Sequence, residues 1–194
     1  SSERELHSWI LGANSKLPKD ISVIWASNVD DSFHARFTAK NRTYQYLILN
    51  RKSRPAILNG LVTWECQELD FKRMVDSSKY LIGEHDFTSF RAVSCQSDSP
   101  VRKVYELEIS KLEDLFVITI RANGFLHHMV RNIAGVLMAV GTGKEKIKWV
   151  ADVLDARDRT MAGVTAEPDG LYLVNVEYPE RYLIPKPKRL IDNF

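Results

Sequence analysis

The sequence predicts an α+β protein, an antiparallel β-sheet with helices packed on one face. Three observations carry this. Strand-like and helix-like stretches do not alternate one for one, as a parallel βαβ sheet would require. Residues 102–122 read as two strands joined by a tight turn, which is an antiparallel hairpin. Apolar residues over about 125–141 recur with the helical period instead of the strand period.

The elements follow in chain order. "ELHSWILGANSKLP" has a short helical pattern, stopped near Gly12 and Pro18. "ISVIWASNV" (21–29) has the β-branched density of a strand, and "RTYQYLILN" (42–50) is a second strand, ended by the basic loop "RKSRPA". Asp70 is placed to cap a helix running through Phe71, Met74, Val75, Ser78, Leu81 and Ile82 and stopping at Gly83. In "RKVYELEISKL" strict alternation puts Tyr105, Leu107 and Ile109 on one face and Glu106 and Glu108 on the other. An "EDL" turn leads into "FVITIRA". A long helix (about 125–141) and a second over "KEKIKWVADVLDARD" come next, and "LYLVNVEY" (171–178) is the last strand. Beyond Pro185 the chain reads as a basic tail.

At 194 residues, 44% hydrophobic and 27% charged, the chain has the make-up of a globular protein with a real core. No apolar run approaches the ~20 residues that span a bilayer, so no membrane partner is expected. The opening "SSERELHSWIL" is charged before it is apolar, unlike a signal peptide. Cys66 and Cys95 are too few and too far apart for a disulfide framework or a zinc ribbon, and read as reduced thiols of a cytoplasmic protein.

Charge is segregated along the chain. From Ser32 to Trp64 there is no Asp or Glu, while Arg36, Lys40, Arg42, Arg51, Lys52 and Arg54 all fall there. A second acid-free window, Leu115 to Lys144, holds Arg121, Arg131, His127 and His128. Burial explains missing acids but not surviving bases. The segregation therefore favours a polyanionic partner, whose phosphates each stray carboxylate would repel.

The segment "NGFLHHMVRN" (123–132) sets two histidines and an arginine in an apolar run. On a helical wheel Gly124, His127, His128, Arg131 and Gly135 share a sector of roughly 100°, opposite a wide apolar face. The two glycines leave that stripe open to close approach by a backbone or a ligand. A metal site is the weakest reading, since no Asp, Glu or Cys lies near and the ligand spacing is wrong. A solvated helix face and anion recognition at the helix N-terminus stand about even on residue chemistry alone.

Several longer motifs, "GEHDFTSFRAVSCQS…PVRKV", "ANGFLHHMVRNIAGVLMAVG" and "DRTMAGVTAEPDGLYLVNVEYP", resemble the tRNA pseudouridine synthase A family. The resemblance continues upstream through "LPKDISVIWASNVDDSFHARFTAKNRTYQYLILN" and covers nearly the whole chain. It implies a pseudouridine synthase-like fold and isomerisation of uridine to pseudouridine in the anticodon stem-loop of tRNA. It also implies a homodimer that works without metal or cofactor. Tyr44 matches the residue that stacks on the target base, and Arg131 the arginine that pairs with a catalytic aspartate. Phe33, His34, Ala35, Arg36 and Phe37, and Ser94, Cys95, Gln96, Ser97 and Asp98, match stretches that touch tRNA. His127 and His128 belong with them, and Arg91 and Arg102 divide between RNA contact and structural ion pairs.

The family's Arg-Thr-Asp-Ala-Gly motif does not occur in these 194 residues. "ARDRTMAG" (156–163) is a poor substitute, because its Asp158 precedes the Arg-Thr pair. The expectation is that the aspartate lies upstream of Ser1. Residues 1–31 would then end a truncated N-terminal catalytic domain, and 32–194 would be a C-terminal α+β domain presenting the RNA-binding cleft face. On that expectation the chain by itself is an inactive half-enzyme that binds RNA or dimerises.

Overall fold

The computed structural model describes residues 5–185; the basic tail expected beyond Pro185 lies outside the described residues. Two compact units form: residues 40–177, and a smaller one of residues up to 39 with 178–185.

The larger unit is built on a six-stranded sheet. Strands β1 (Asn41–Asn50), β2 (Thr63–Glu65), β3 (Gly83–Asp86), β4 (Val101–Leu112), β5 (Leu115–Ala122) and β6 (Leu171–Glu177) run in the order β2-β1-β5-β4-β3. On the β2 side of β1, β6 pairs along Asn41–Tyr46, and β2 pairs along Ile48–Asn50. The sheet is therefore mixed and not antiparallel throughout, because β2 runs parallel to β1. The tight turn is as expected: Leu112 pairs with Leu115, and Glu113 takes a left-handed φ of 52° between them.

Helices α2 (Phe71–Ser78), α3 (Met129–Gly141) and α4 (Trp149–Ala156) supply the other layer. One core joins them to the sheet through Tyr46, Ile48, Phe116, Ile118, Ile120, Met74, Ile133 and Leu137, all but out of contact with water. Burying each of the large aliphatic side chains contributes about 1.5–3 kcal/mol. The opposite sheet face carries only a small cluster of Leu47, Leu49, Val62 and Val117. Asp70 caps α2 as expected, accepting from the Arg73 amide at 3.0 Å. Arg73 then closes the far end of α3, donating to Val140 O and Glu145 O at 2.9 and 2.7 Å. A cation at a helix C-terminus also complements the helix dipole.

Four further expectations are corrected. Residues 21–29 form no strand. They lie outside every strand, with Ile24 82% exposed, because β-branched density favours a strand only where a partner edge is present. Tyr105 does not join Leu107 and Ile109 inside: a β-bulge between Val104 and Glu106 makes Tyr105 the extra residue, and Val104 takes the core position. The helix over "KEKIKWVADVLDARD" begins only at Trp149. The long helix begins at Met129 and not near 125, since His128 adopts a left-handed φ of 62° that no helix interior accommodates.

In the smaller unit α1 (Leu6–Asn14) ends as its sequence predicts. The Asn14 amide side chain fastens the following segment by pairing with Val23 N and O.

Candidate functional site

Because α3 starts at Met129, the wheel that placed Gly124, His127, His128, Arg131 and Gly135 on one helical stripe does not apply. Gly124, His127 and His128 belong to the approach to the helix, and the anion-binding N-terminus expected near residue 125 is not there. The Met129 amide is already used by Leu126 O at 3.0 Å. The polar groups are nevertheless gathered by a different route. The left-handed turn at His128 folds the approach back, so that Tyr44, Phe125, His127, His128, Arg131 and Leu171 line one cleft of about 320 Å³. Its walls carry no carboxylate.

Tyr44 reaches the cleft from β1. It lies on the same strand face as Tyr46, but near the end of the sheet, where it is half-buried instead of enclosed. Phe125 meets its ring edge-on at 5.0 Å between centroids, and burial pushes the phenol pKa up against the opposing pull of Arg42. Tyr46, deeper, is pushed up to about 12 by burial and holds Thr63 Oγ1 and Glu167 O.

Arg131, in the first turn of α3, donates from Nε to Ala166 O at 2.7 Å and from Nη1 to His128 Nε2 at 3.4 Å. A guanidinium has no acceptor, so His128 Nε2 must accept, which requires a neutral imidazole. The pKa of His128 is lowered accordingly, first by burial and then by His127, Arg131 and Arg159. No ion pair among the described residues involves Arg131.

The loop after the short 3-10 turn at Thr88–Phe90 joins this cluster. His127 O accepts from Ala92 N, the His127 amide points at Cys95 Sγ, and Ser94 Oγ lies 3.1 Å from His127 Nδ1. The two histidine rings meet at 4.0 Å between centroids, their planes tilted by 36°. Burial raises the Cys95 thiol pKa, but the amides of His127 and Ser97 and the charge of Arg91 outweigh it, leaving the thiol below its ordinary value. Arg91 and Arg102 form no ion pair among the described residues; they staple the loop, Arg91 to Cys95 O, Arg102 to Ser97 Oγ and Ser99 O. Gln96 and Asp98 stand exposed on its outer side.

Phe33 to Phe37 belong to the smaller unit. Phe33 packs between Tyr178 and Tyr182, each at 5.0 Å, and His34 Nδ1 accepts from the amides of Arg36 and Phe37. Arg36 and Phe37 are exposed. Asp158, the substitute carboxylate, is turned toward its own backbone: its Oδ1 accepts from Thr160 N and Oγ1 at 2.8 Å. Its neighbour Arg159 stands in no motif with a legible role, yet it ties the 162–165 segment together behind Arg131. Only the neighbouring "AGVT" run of small residues hinted that a backbone passes close there.

A cleft with an aromatic wall, an arginine, two histidines and no carboxylate suits a partner that combines negative charge with flat rings, as nucleic acids do. The sequence model described as tRNA pseudouridine synthase matches residues 78–179. The tRNA pseudouridine synthase A of Nitrosococcus oceani is 53% identical over 183 residues, covering 94% of this chain and 71% of that protein. The Coxiella burnetii (strain Dugway 5J108-111) protein of that name is 50% identical over 183 residues, covering 94% and 70%. The Legionella pneumophila (strain Lens) protein is 51% identical over 180 residues, covering 93% and 69%. This chain belongs to the tRNA pseudouridine synthase family. No helix among the described residues is long and apolar enough to cross a membrane.

Proposed function

We propose that this chain serves the conversion of uridine to pseudouridine in the anticodon stem-loop of tRNA, in the cytoplasm and as a homodimer. The observation that carries the reading is the meeting of Tyr44, His127, His128 and Arg131 around one carboxylate-free cleft in a member of this family. The reaction breaks the bond from N1 of uracil to C1′ of ribose, turns the base, and joins C5 to C1′; the C5 hydrogen leaves as a proton and N1 takes one up, so the composition is unchanged. The target base must first leave its stack, and an aromatic platform repays part of that cost. Tyr44 supplies the platform. Arg131, held at Nε by Ala166 O and at Nη1 by His128 Nε2, still has further N–H groups to offer a carboxylate or phosphate. His127, His128 and the Ser94–Asp98 loop border the entry, and neutral His128 keeps the guanidinium oriented without adding charge. Phe33 to Phe37, with Arg36 exposed, contribute backbone contacts to the RNA.

The 194 residues contain no Arg-Thr-Asp-Ala-Gly motif. A polypeptide of these residues alone is therefore expected to bind tRNA without releasing tritium from C5-labelled uridine. Positioning lowers a barrier only where a reacting group is present. Release by that polypeptide would pass the chemistry to one of its own carboxylates, Asp158 first. Failure to bind tRNA at low salt would overturn the site itself.

A further inference from the structure

Arg131 is held from behind by a segment to which no role has been attached. Residues 162–167 pass over α3 where the helix presents Gly135. A Cβ added there would lie 2.0 Å from Val164 O, so only glycine lets the segment come this near. At the end of the crossing Ala166 grips Arg131 twice: its amide donates to Arg131 O at 3.2 Å, and its carbonyl accepts from Arg131 Nε at 2.7 Å. Glu167 O then accepts from Tyr46 OH at 2.6 Å. The direction of the Arg131 guanidinium is thus set by where the Ala166 carbonyl sits, with His128 Nε2 as the second and longer contact.

Arg159 holds the segment that leads into that carbonyl. Its Nη1 donates to Ala162 O and Gly163 O at 3.2 and 3.1 Å, and its Nη2 to Asn132 Oδ1 and Thr165 Oγ1 at 3.2 and 2.8 Å. Thr165 Oγ1 donates on to Asn132 Oδ1 at 2.7 Å, closing a triangle. Asn132 is buried, next to Arg131 on α3, and its amide nitrogen holds Phe90 O at 2.7 Å. The rigid fork of one guanidinium therefore ties the segment to the helix beside Arg131, and a lysine cannot serve four acceptors in those directions. No ion pair among the described residues involves Arg159, so its hydrogen bonds run to neutral acceptors.

We infer that Arg159, with Asn132 and Thr165, is a positioning group: through the 162–167 segment it fixes the Ala166 carbonyl and so aims Arg131 into the cleft. This rests on the proposed role of Arg131. The test uses the gene product that carries this chain, with Arg159→Lys, Thr165→Val and Arg131→Ala compared side by side. Two quantities are read: the Arg131 Nε–H resonance in ¹⁵N-edited NMR, and kcat against KM for tRNA. Arg159→Lys and Thr165→Val are expected to broaden or shift the Arg131 resonance. They should lower kcat on the order of 10- to 100-fold, as small misplacements of a working group do, with KM within about twofold. Thr165→Val keeps shape and volume, so it answers even if Arg159→Lys does not fold. An unchanged resonance, or a changed resonance with kcat intact, overturns the inference. Full turnover by Arg131→Ala would instead remove the role of Arg131, and with it any aiming toward chemistry.

Discussion

Neighbouring residues of one type do different work here, according to what surrounds them. Tyr44 and Tyr46 share a strand face, yet Tyr46 is enclosed and spends its hydroxyl on Thr63 and Glu167, while Tyr44 opens on the cleft. Their alternation was legible in the sequence; which of them faces a partner was not, because that depends on where the sheet ends. Arg36 and Tyr44 separate charge from stacking. Removing a phosphate contact by Arg36→Ala should lower the salt slope of tRNA binding, log K against log salt, by about 0.7–0.9. Tyr44→Ala should weaken binding of the target nucleotide by ~1–3 kcal/mol at an unchanged slope. Fluorescence titrations at several salt concentrations measure both, and equal slope changes would contradict the division.

At the scale of elements, single backbone irregularities overrode periodicity twice. The bulge at Tyr105 shifts β4 by one residue, so Val104 goes inward and Tyr105 outward, 41% exposed beside Lys103 and Arg121. Val104→Ala should therefore cost on the order of 2 kcal/mol, whereas Tyr105→Thr should stay within about 0.5 kcal/mol. Urea denaturation decides between them, and the reverse order would restore strict alternation. The left-handed His128 cuts the expected helix four residues short in the same way. Neither irregularity has a sequence mark, since a bulge or a left-handed residue is chosen by the pairing and packing around it. The N-cap at Asp70 and the Glu113 turn were readable because their cause lies within a few residues.

Over the whole molecule, β5 is covered on both sides by β1 and β4, while the strand-like segment 21–29 has no strand partner among the described residues. Amides of 24–29 should exchange with deuterium within seconds, and those of 116–120 only with global opening, as mass spectrometry would show. Protection of 24–29 in the isolated chain would mean that the segment finds a sheet edge. The sequence by itself determined the α+β class, the hairpin and the family, because these rest on local periodicity and on long motifs that survive in order. Tertiary structure alone decided that His127, His128, Arg131 and Tyr44 meet in a cleft and not on a helical stripe. It alone brought Ser94 and Cys95 beside them, and set Arg159 behind Arg131. Those meetings join residues as far apart in sequence as Tyr44 and Arg131, and they depend on a left-handed turn and a close backbone crossing that only the packed chain makes favourable.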